Sequence, residues 1–398
     1  MQKKINFIVL STNIYGAFDI KDMAGAVRVR NIFNPLVQQN GVSVSNLIML
    51  DLFGIQDNLK TESINNKVDC LAIGFSSITH PISVLQFLKR GMKFIKQHKQ
   101  KNAANIIYNY QYPDVRNFLL LLYARLKGYK IVFDFVEDKK HYTTVSFNDK
   151  IHQKLSLLFL KWLPTYTDAV FVISSHLITE IGKITKQKIP IYSLPISVDF
   201  NNLATNNVKK NDEPVNIFYG GSFAEKDGLQ YLVEALEIIH NKGYNFKLLM
   251  SGKASPHKKD SLFTTIVEKP FVDYKGFLST EAYFELLASA DICCMTRVNS
   301  AFANAGFPFK LGEFLAAGKV IIASKIGDVE NYLIHKESAY LVSPESTAQI
   351  VEGLEYCIQN LATLSNTMGA NAKKVAEKNF NAANSSKYLL EKCIEISK

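Results

Sequence analysis

Short apolar runs of strand length alternate with helix-length amphipathic segments along all 398 residues, and the alternation stops once and restarts. Repeated β–α–β order predicts parallel sheets with crossover helices. In the first half the expected strands are "INFIVLS", "CLAIGFSS", "NIIYNY", "KIVFDFV" and "AVFVISS", with helical periodicity near 24–39, 83–98, 115–127 and 150–163. The stretch 201–214, "NNLATNNVKKNDEP", is polar and aperiodic and reads as a linker. Beyond it come "VNIFYGGS", "FKLLMSG", "VDYKGF", "ADICCMT", "KVIIAS" and "AYLVS", with helices near 228–241, 280–289, 346–361, 364–379 and 384–396. The expected fold class is α/β: two doubly wound, Rossmann-like domains facing a cleft, 1–200 and 215–380. The last helix, 381–398, is expected to pack back on the first domain. Sheets of this kind bind ligands at the carboxyl ends of their strands.

Composition narrows the function classes. A hydrophobic share of 47% with 21% charged residues describes a globular chain, not a disordered one. The five cysteines, at 70, 293, 294, 357 and 393, lack metal-ligand spacing and read as reduced core residues. "MQKKINFIVLSTN" has too short an apolar run for a signal segment, and nothing approaches the ~20 apolar residues of a membrane span. A cytoplasmic location is therefore expected. Residues 1–200 hold 25 Lys+Arg against 14 Asp+Glu, whereas residues 201–398 hold 21 against 22. No nucleic-acid-binding signature accompanies that excess. An anionic membrane surface or a phosphate-bearing substrate accounts for it.

Two stretches of the second half could carry chemistry. "YGGSFAEKDGLQYLVEAL" puts Gly220 and Gly221 at a strand end, with Lys226 close behind and a helix to follow. Glycine permits close backbone approach, and a helix N-terminus favours anions. The same Gly-Gly could equally be a tight turn. "TRVNSAFANAGFPFKLGEFLAAGK" places Arg297 at another strand end and Lys310 three residues before Glu313, on one helix face. Arg297 and Lys310 could clasp a diphosphate, and an ionised Glu313 could accept from two ribose hydroxyls. The plainer alternative is a solvated ion pair worth about 0–1 kcal/mol.

"FYGGSFAEKDGLQYLVEAL" followed by "FPFKLGEFLAAGKVIIASKIGDVENYL" resembles the donor domain of group 1 (family four) glycosyltransferases of the GT-B fold. "AGAVRVRNIFNPLVQQNG" and "SHLITEI…LPISVDF" resemble that family's first helix and domain exit. The resemblance implies that Lys226 and Arg297 contact donor phosphates, beside the backbone of Gly220, Gly221 and Ser222. It places Lys275, Gly276 and Phe277 at the nucleotide base, Glu313 on the ribose, and Lys310 with Leu311 near the phosphates or the sugar. Two positions depart from the family's pattern: Ser222 stands where an Arg is usual, and Ala305 where a Glu meets the donor sugar.

In the first half, "STNIYGAFDIKDMAGAVRVRN" sets Gly16 and Gly25 in the loop after strand one, with Arg28 and Arg30 on the next helix. These are the expected acceptor-side residues. The alternative leaves one arginine solvated and pairs the other with Asp19 or Asp22. Past another strand end, Glu137, Asp138 and His141 are the candidates for removing a proton from an acceptor hydroxyl. The segments around 116–130 and 154–164 read as core helices or as a peripheral membrane face carrying Trp162. The resulting expectation is a sugar transferase of surface polysaccharide synthesis. It would use a UDP- or GDP-linked donor, a hydroxyl of a lipid-linked or oligosaccharide acceptor, no cofactor and no metal, with retained stereochemistry. A nucleotide-sugar 2-epimerase and a non-catalytic nucleotide-sugar-binding subunit are the alternatives.

Overall fold

The computed structural model describes residues 4–11, 24–51, 61–64, 68–75, 81–110, 112–138, 140, 147–203, 213–221, 223, 225–252 and 261–398. The chain divides into two compact units, one made of Met1–Ser197 with Ala382–Lys398 and the other of Val198–Asn381.

The first unit is built on β1 (Lys4–Ser11), β2 (Val42–Asp51), β3 (Thr61–Ile64), β4 (Val68–Phe75), β5 (Ala103–Asn109), β6 (Lys130–Phe135), β7 (Ala169–Val172) and β8 (Ile191–Ser193). They form one sheet in the order β3-β4-β2-β1-β5-β6-β7-β8, parallel throughout except for β3, which runs antiparallel to β4 on the edge. The central strands are apolar on both faces, as a parallel sheet covered by helices requires. Val9, Tyr108 and Phe171 pack beneath Ile32 and Phe33 of helix Ala24–Val37. The same core takes in Leu389 and Cys393 of the chain's last helix, Ala382–Glu395. Ser386 of that helix donates from its hydroxyl to the carbonyl of Ile32.

The second unit holds β9 (Val215–Gly221), β10 (Phe246–Gly252), β11 (Val272–Tyr274), β12 (Ile292–Met295), β13 (Val320–Ser324) and β14 (Tyr340–Val342). All are parallel, in the order β11-β10-β9-β12-β13-β14. In sequence terms that is third, second, first, fourth, fifth, sixth, the doubly wound order whose strand order reverses between the first and fourth strands. The reversal here lies between β9 and β12. Their pairing ends at Cys293 against Phe218, while β9 stays paired with β10 as far as Gly221 against Gly252. The ends of β9 and β12 therefore part, and a crevice opens where the order reverses.

The expected strands all form. Strand β2, "VSVSNLIMLD", and the short edge strand β3 were not among the expectations. Residues 204–212 of the expected linker lie outside the described residues. All five cysteines are buried. None of the described helices is long and apolar enough to cross a membrane.

Candidate functional site

The second unit assembles a cluster of charges at the β9–β12 crevice. After β9 the chain makes one 3-10 turn, Glu225–Asp227, and then enters helix Leu229–Asn241. Gly228 joins the two in the left-handed region, with φ of 62°, and a Cβ there would stand 2.0 Å from the Thr296 carbonyl oxygen. Only glycine fits both constraints. The turn is then laced to the segment that leaves β12. The Val298 N–H donates to the Lys226 carbonyl at 3.1 Å, and the Thr296 hydroxyl to the Gly228 carbonyl at 3.3 Å. These contacts bring Asp227 beside Arg297.

Asp227 is the hub of the site, and it is not among the residues expected from sequence. Its Oδ1 lies 3.3 Å from Arg297 Nε and 3.7 Å from Lys310 Nζ. The aspartate side chain is 3% exposed, and each of the two cations 13%. Lys310 reaches the spot from helix Phe309–Ala316 by crossing the face of Tyr219, its Nζ 4.6 Å from the ring centroid. Gly221 makes room for it, since a Cβ at that position would come within 2.2 Å of the ammonium. Burial pulls the Lys310 amine down to about 8; Asp227 and Glu313 oppose the shift, while Arg297 and Lys226 add to it. Lys226 lies at the crevice mouth, its Nζ 4.4 Å from the Phe302 ring centroid.

Lys310 and Glu313 share a helix face, yet each turns to its own partner. Glu313 Oε2 accepts from the Tyr283 hydroxyl at 2.7 Å. Burial raises the Glu313 pKa above the usual carboxylate range, and the Tyr283 bond and Lys310 partly restore it. Leu311 contradicts its expected role: its side chain is fully buried and its N–H bonds the Pro308 carbonyl, so it belongs to the core. Ala305 is also fully buried, so the position of the missing carboxylate faces the interior. Ser222 lies outside the described residues.

On the other side of β9, the end of β10 is tied to the segment that leaves β11. Gly252 N–H donates to the Gly276 carbonyl at 2.9 Å, and the Ser251 hydroxyl reaches the same oxygen at 3.1 Å. Phe277 follows, 73% exposed. The Lys275 ammonium is turned away to Asp273 at 2.9 Å, which leaves this loop its backbone and the Phe277 ring as contact groups.

The first unit corrects one expectation outright. Arg28 is not available to an acceptor. It is completely buried and grips Asp134 with two bonds, Nε to Oδ2 at 2.8 Å and Nη2 to Oδ1 at 2.9 Å. Its remaining donors reach the carbonyls of Pro195 and Leu194 at 2.6 and 2.7 Å, and Tyr108 donates to the same aspartate at 2.5 Å. Asp19 and Asp22 lie outside the described residues. Gly25 is shaped by packing, because a Cβ there would strike the Tyr110 hydroxyl at 2.6 Å. Arg30 is half-buried on the same helix, and Gly16 lies outside the described residues.

At the carboxyl end of β6, Asp138 is 5% exposed and its Oδ2 lies 3.3 Å from His176 Nε2. Its Oδ1 accepts from the Lys140 N–H at 3.0 Å. Glu137 is half-buried, with its carbonyl bonded by the Tyr112 hydroxyl at 2.7 Å. His141 lies outside the described residues. His176 sits in the first turn of helix Ser175–Thr185, whose Ser174 cap accepts from the Leu177 N–H. The only hint of it in sequence is a histidine directly after the strand end "VISS". Among the described residues no group of three His, Cys, Asp or Glu is arranged to hold a metal ion.

Comparison with known proteins agrees with this architecture. Residues 214–360 match the family model described as glycosyl transferases group 1. Among solved structures, the sucrose-phosphate synthase of Thermosynechococcus elongatus has a TM-score of 0.73 at 16% identity, covering 98% of this chain and 100% of its own. A glycosyltransferase from Rickettsia africae scores 0.70 at 16% identity, with both chains fully covered. HepE of Anabaena, solved in complex with UDP-glucose, scores 0.67 at 12% identity, covering 98% of this chain and all of its own. No curated protein matches the chain in sequence.

Proposed function

We propose that the chain, whose residues 214–360 match the group 1 glycosyl transferase model, is a glycosyltransferase that draws its sugar from a nucleotide diphosphate donor bound at the β9–β12 crevice. One observation carries the reading: two nearly buried cations, Arg297 and Lys310, stand on one carboxylate where the strand order reverses. Such a crevice is where open α/β sheets take nucleotides. The diphosphate lies against Arg297, Lys310 and Lys226, whose charges neutralise the leaving group without a metal. Glu313, oriented by Tyr283, accepts from the ribose hydroxyls. The base lies on the backbone of Lys275–Gly276 and the ring of Phe277. UDP is the donor nucleotide to try first, because HepE was solved with UDP-glucose.

The acceptor is a hydroxyl of a lipid-linked or oligosaccharide substrate of cell-surface polysaccharide synthesis, and transfer retains the anomeric configuration. Asp138 is the carboxylate of the first unit that assists the hydroxyl, with His176 as its partner. The same unit meets the inner membrane surface through exposed Leu119, Leu126, Leu158 and Trp162, set among basic residues that include Lys127, Lys154 and Lys161.

Calorimetry with UDP-glucose and GDP-mannose, followed by turnover with lipid-linked and oligosaccharide acceptors, tests this. Donor binding with sugar transfer is expected. An epimerised donor in the absence of any acceptor would overturn the transferase mechanism proposed here.

A further inference from the structure

The second unit buries a carboxylate in the place where a negatively charged donor is to bind. That is electrostatically unfavourable for the donor unless the carboxylate does something for the cations. Asp227 is held there by construction, through the left-handed Gly228 behind it and the bonds from Val298 and Thr296. Its Oδ1 is the nearest anionic atom to both Arg297 and Lys310. The Arg297 Nε contact is an ion pair at 3.3 Å without hydrogen-bond geometry, and Arg297 Nε has no hydrogen-bond partner among the described residues. The Tyr219 hydroxyl is likewise buried without such a partner, and it feels the charges of both Asp227 and Arg297. Two buried donors within the electrostatic reach of the carboxylate thus lack a hydrogen-bond partner among the described residues.

We infer that Asp227 is a positioning residue of the donor site: it keeps Lys310 protonated and side by side with Arg297, so that a diphosphate finds two preformed cations. This rests on the donor reading above. A buried ammonium next to a buried guanidinium would otherwise lose its proton. The groups that face Lys310 are Asp227, Arg297, Lys226 and Glu313, with the Tyr219 ring beneath it. Burial, Arg297 and Lys226 all push the amine towards the neutral form, and Asp227 is the largest influence holding it charged. With that balance Lys310 gives up its proton at about 8, so donor affinity should fall as pH rises through that value. Loss of a close opposite charge moves a pKa by about 1–3 units. For Asp227→Asn the fall should therefore occur at least about one unit lower on the pH scale.

The experiment is calorimetric titration of the full chain with UDP-glucose and GDP-mannose across pH, since both diphosphates stay fully ionised near neutrality. Wild type and Asp227→Glu should share an alkaline midpoint. Asp227→Asn should show its midpoint at lower pH, with binding at the wild-type midpoint weaker by up to about tenfold for each pH unit that separates the two. Lys310→Arg, which cannot lose its proton in this range, should bind with no alkaline fall. If Asp227→Asn keeps the wild-type midpoint, Asp227 does not hold the charge on Lys310 and the inference fails, whatever the variant does to stability. Should Asp227→Asn not fold, a wild-type alkaline fall in Lys310→Arg overturns the inference in its place. If wild type binds neither donor at any pH, it is the underlying donor reading that fails.

Discussion

Replacing Arg28 by Met decides between two roles for that residue, one at an acceptor and one in the core. The side chain is fully buried, and it donates four hydrogen bonds to one carboxylate and two carbonyls. Methionine approximates the aliphatic length and supplies none of these donors. Asp134 would then be a buried carboxylate held by Tyr108 alone, with the Leu194 and Pro195 carbonyls stripped of their partner. Breaking a buried pair by removing one member costs about 3–5 kcal/mol, because the remaining charge is uncompensated. Against a total stability of about 5–15 kcal/mol, that is a large part of what holds the first unit folded. Urea unfolding followed by far-ultraviolet dichroism should show the loss, and added salt should change it little, since the pair is shielded from solvent. Donor affinity, which belongs to the second unit, should be unchanged wherever the variant is folded. The triple variant Arg28→Met, Asp134→Leu, Tyr108→Phe removes all three polar partners together, and stability should recover to within about 1–2 kcal/mol of wild type. If Arg28→Met loses less than about 1 kcal/mol while acceptor-dependent turnover disappears, the core assignment is wrong and Arg28 serves the acceptor.

Two further outcomes are expected. Gly221→Ala places a methyl where the Lys310 ammonium now sits, so the chain should fold while UDP-glucose affinity drops by about tenfold or more; equal affinity would show that the ammonium's seat is immaterial. Trp162 is the chain's only tryptophan and is 48% exposed, so its fluorescence reports on one patch of the first unit. Vesicles containing anionic lipid should shift its emission to the blue and uncharged vesicles should not, whereas no shift with either would remove the membrane face from the proposal.

What could be read from sequence, and what could not, divides by range. Apolar runs such as "VNIFYGG" and "KIVFDF" announce strands because burial on both faces demands continuous hydrophobicity. The alternating serines of "VSVSNLIMLD" weakened that signal for β2, although Ser45 and Asn46 are buried in the sheet all the same. Lys226, Arg297, Lys310 and Glu313 were legible as charges at strand ends and a helix start. Their partners were not, because pairing is set by strand order. The end of β9 lies beside the end of β12 only because the sheet reverses between them, and this brings Asp227 against an arginine 70 residues further along the chain.

Two pairings of the first unit lie beyond what proximity along the chain suggests. For Arg28, sequence proximity suggests Asp19 or Asp22, whereas the actual partner is 106 residues away on β6. For Asp138, the partner is His176, 38 residues further along the chain and past β7, at the head of its own helix. For Asp138 and His176 the parallel sheet sends β6 into β7 through a crossover and lines up their carboxyl ends, whereas Arg28 follows β1, which β5 separates from the β6 strand of Asp134. Groups a helix and a strand apart in sequence then meet, while neighbours along the chain are carried elsewhere. In a doubly wound unit, then, a charged residue just past one strand should be paired first with charged residues just past the spatially adjacent strand. Applied to the second unit, the rule selects Asp227 for Arg297 directly, and the same carboxylate faces Lys310, on whose charge the expected pH response of the donor site depends.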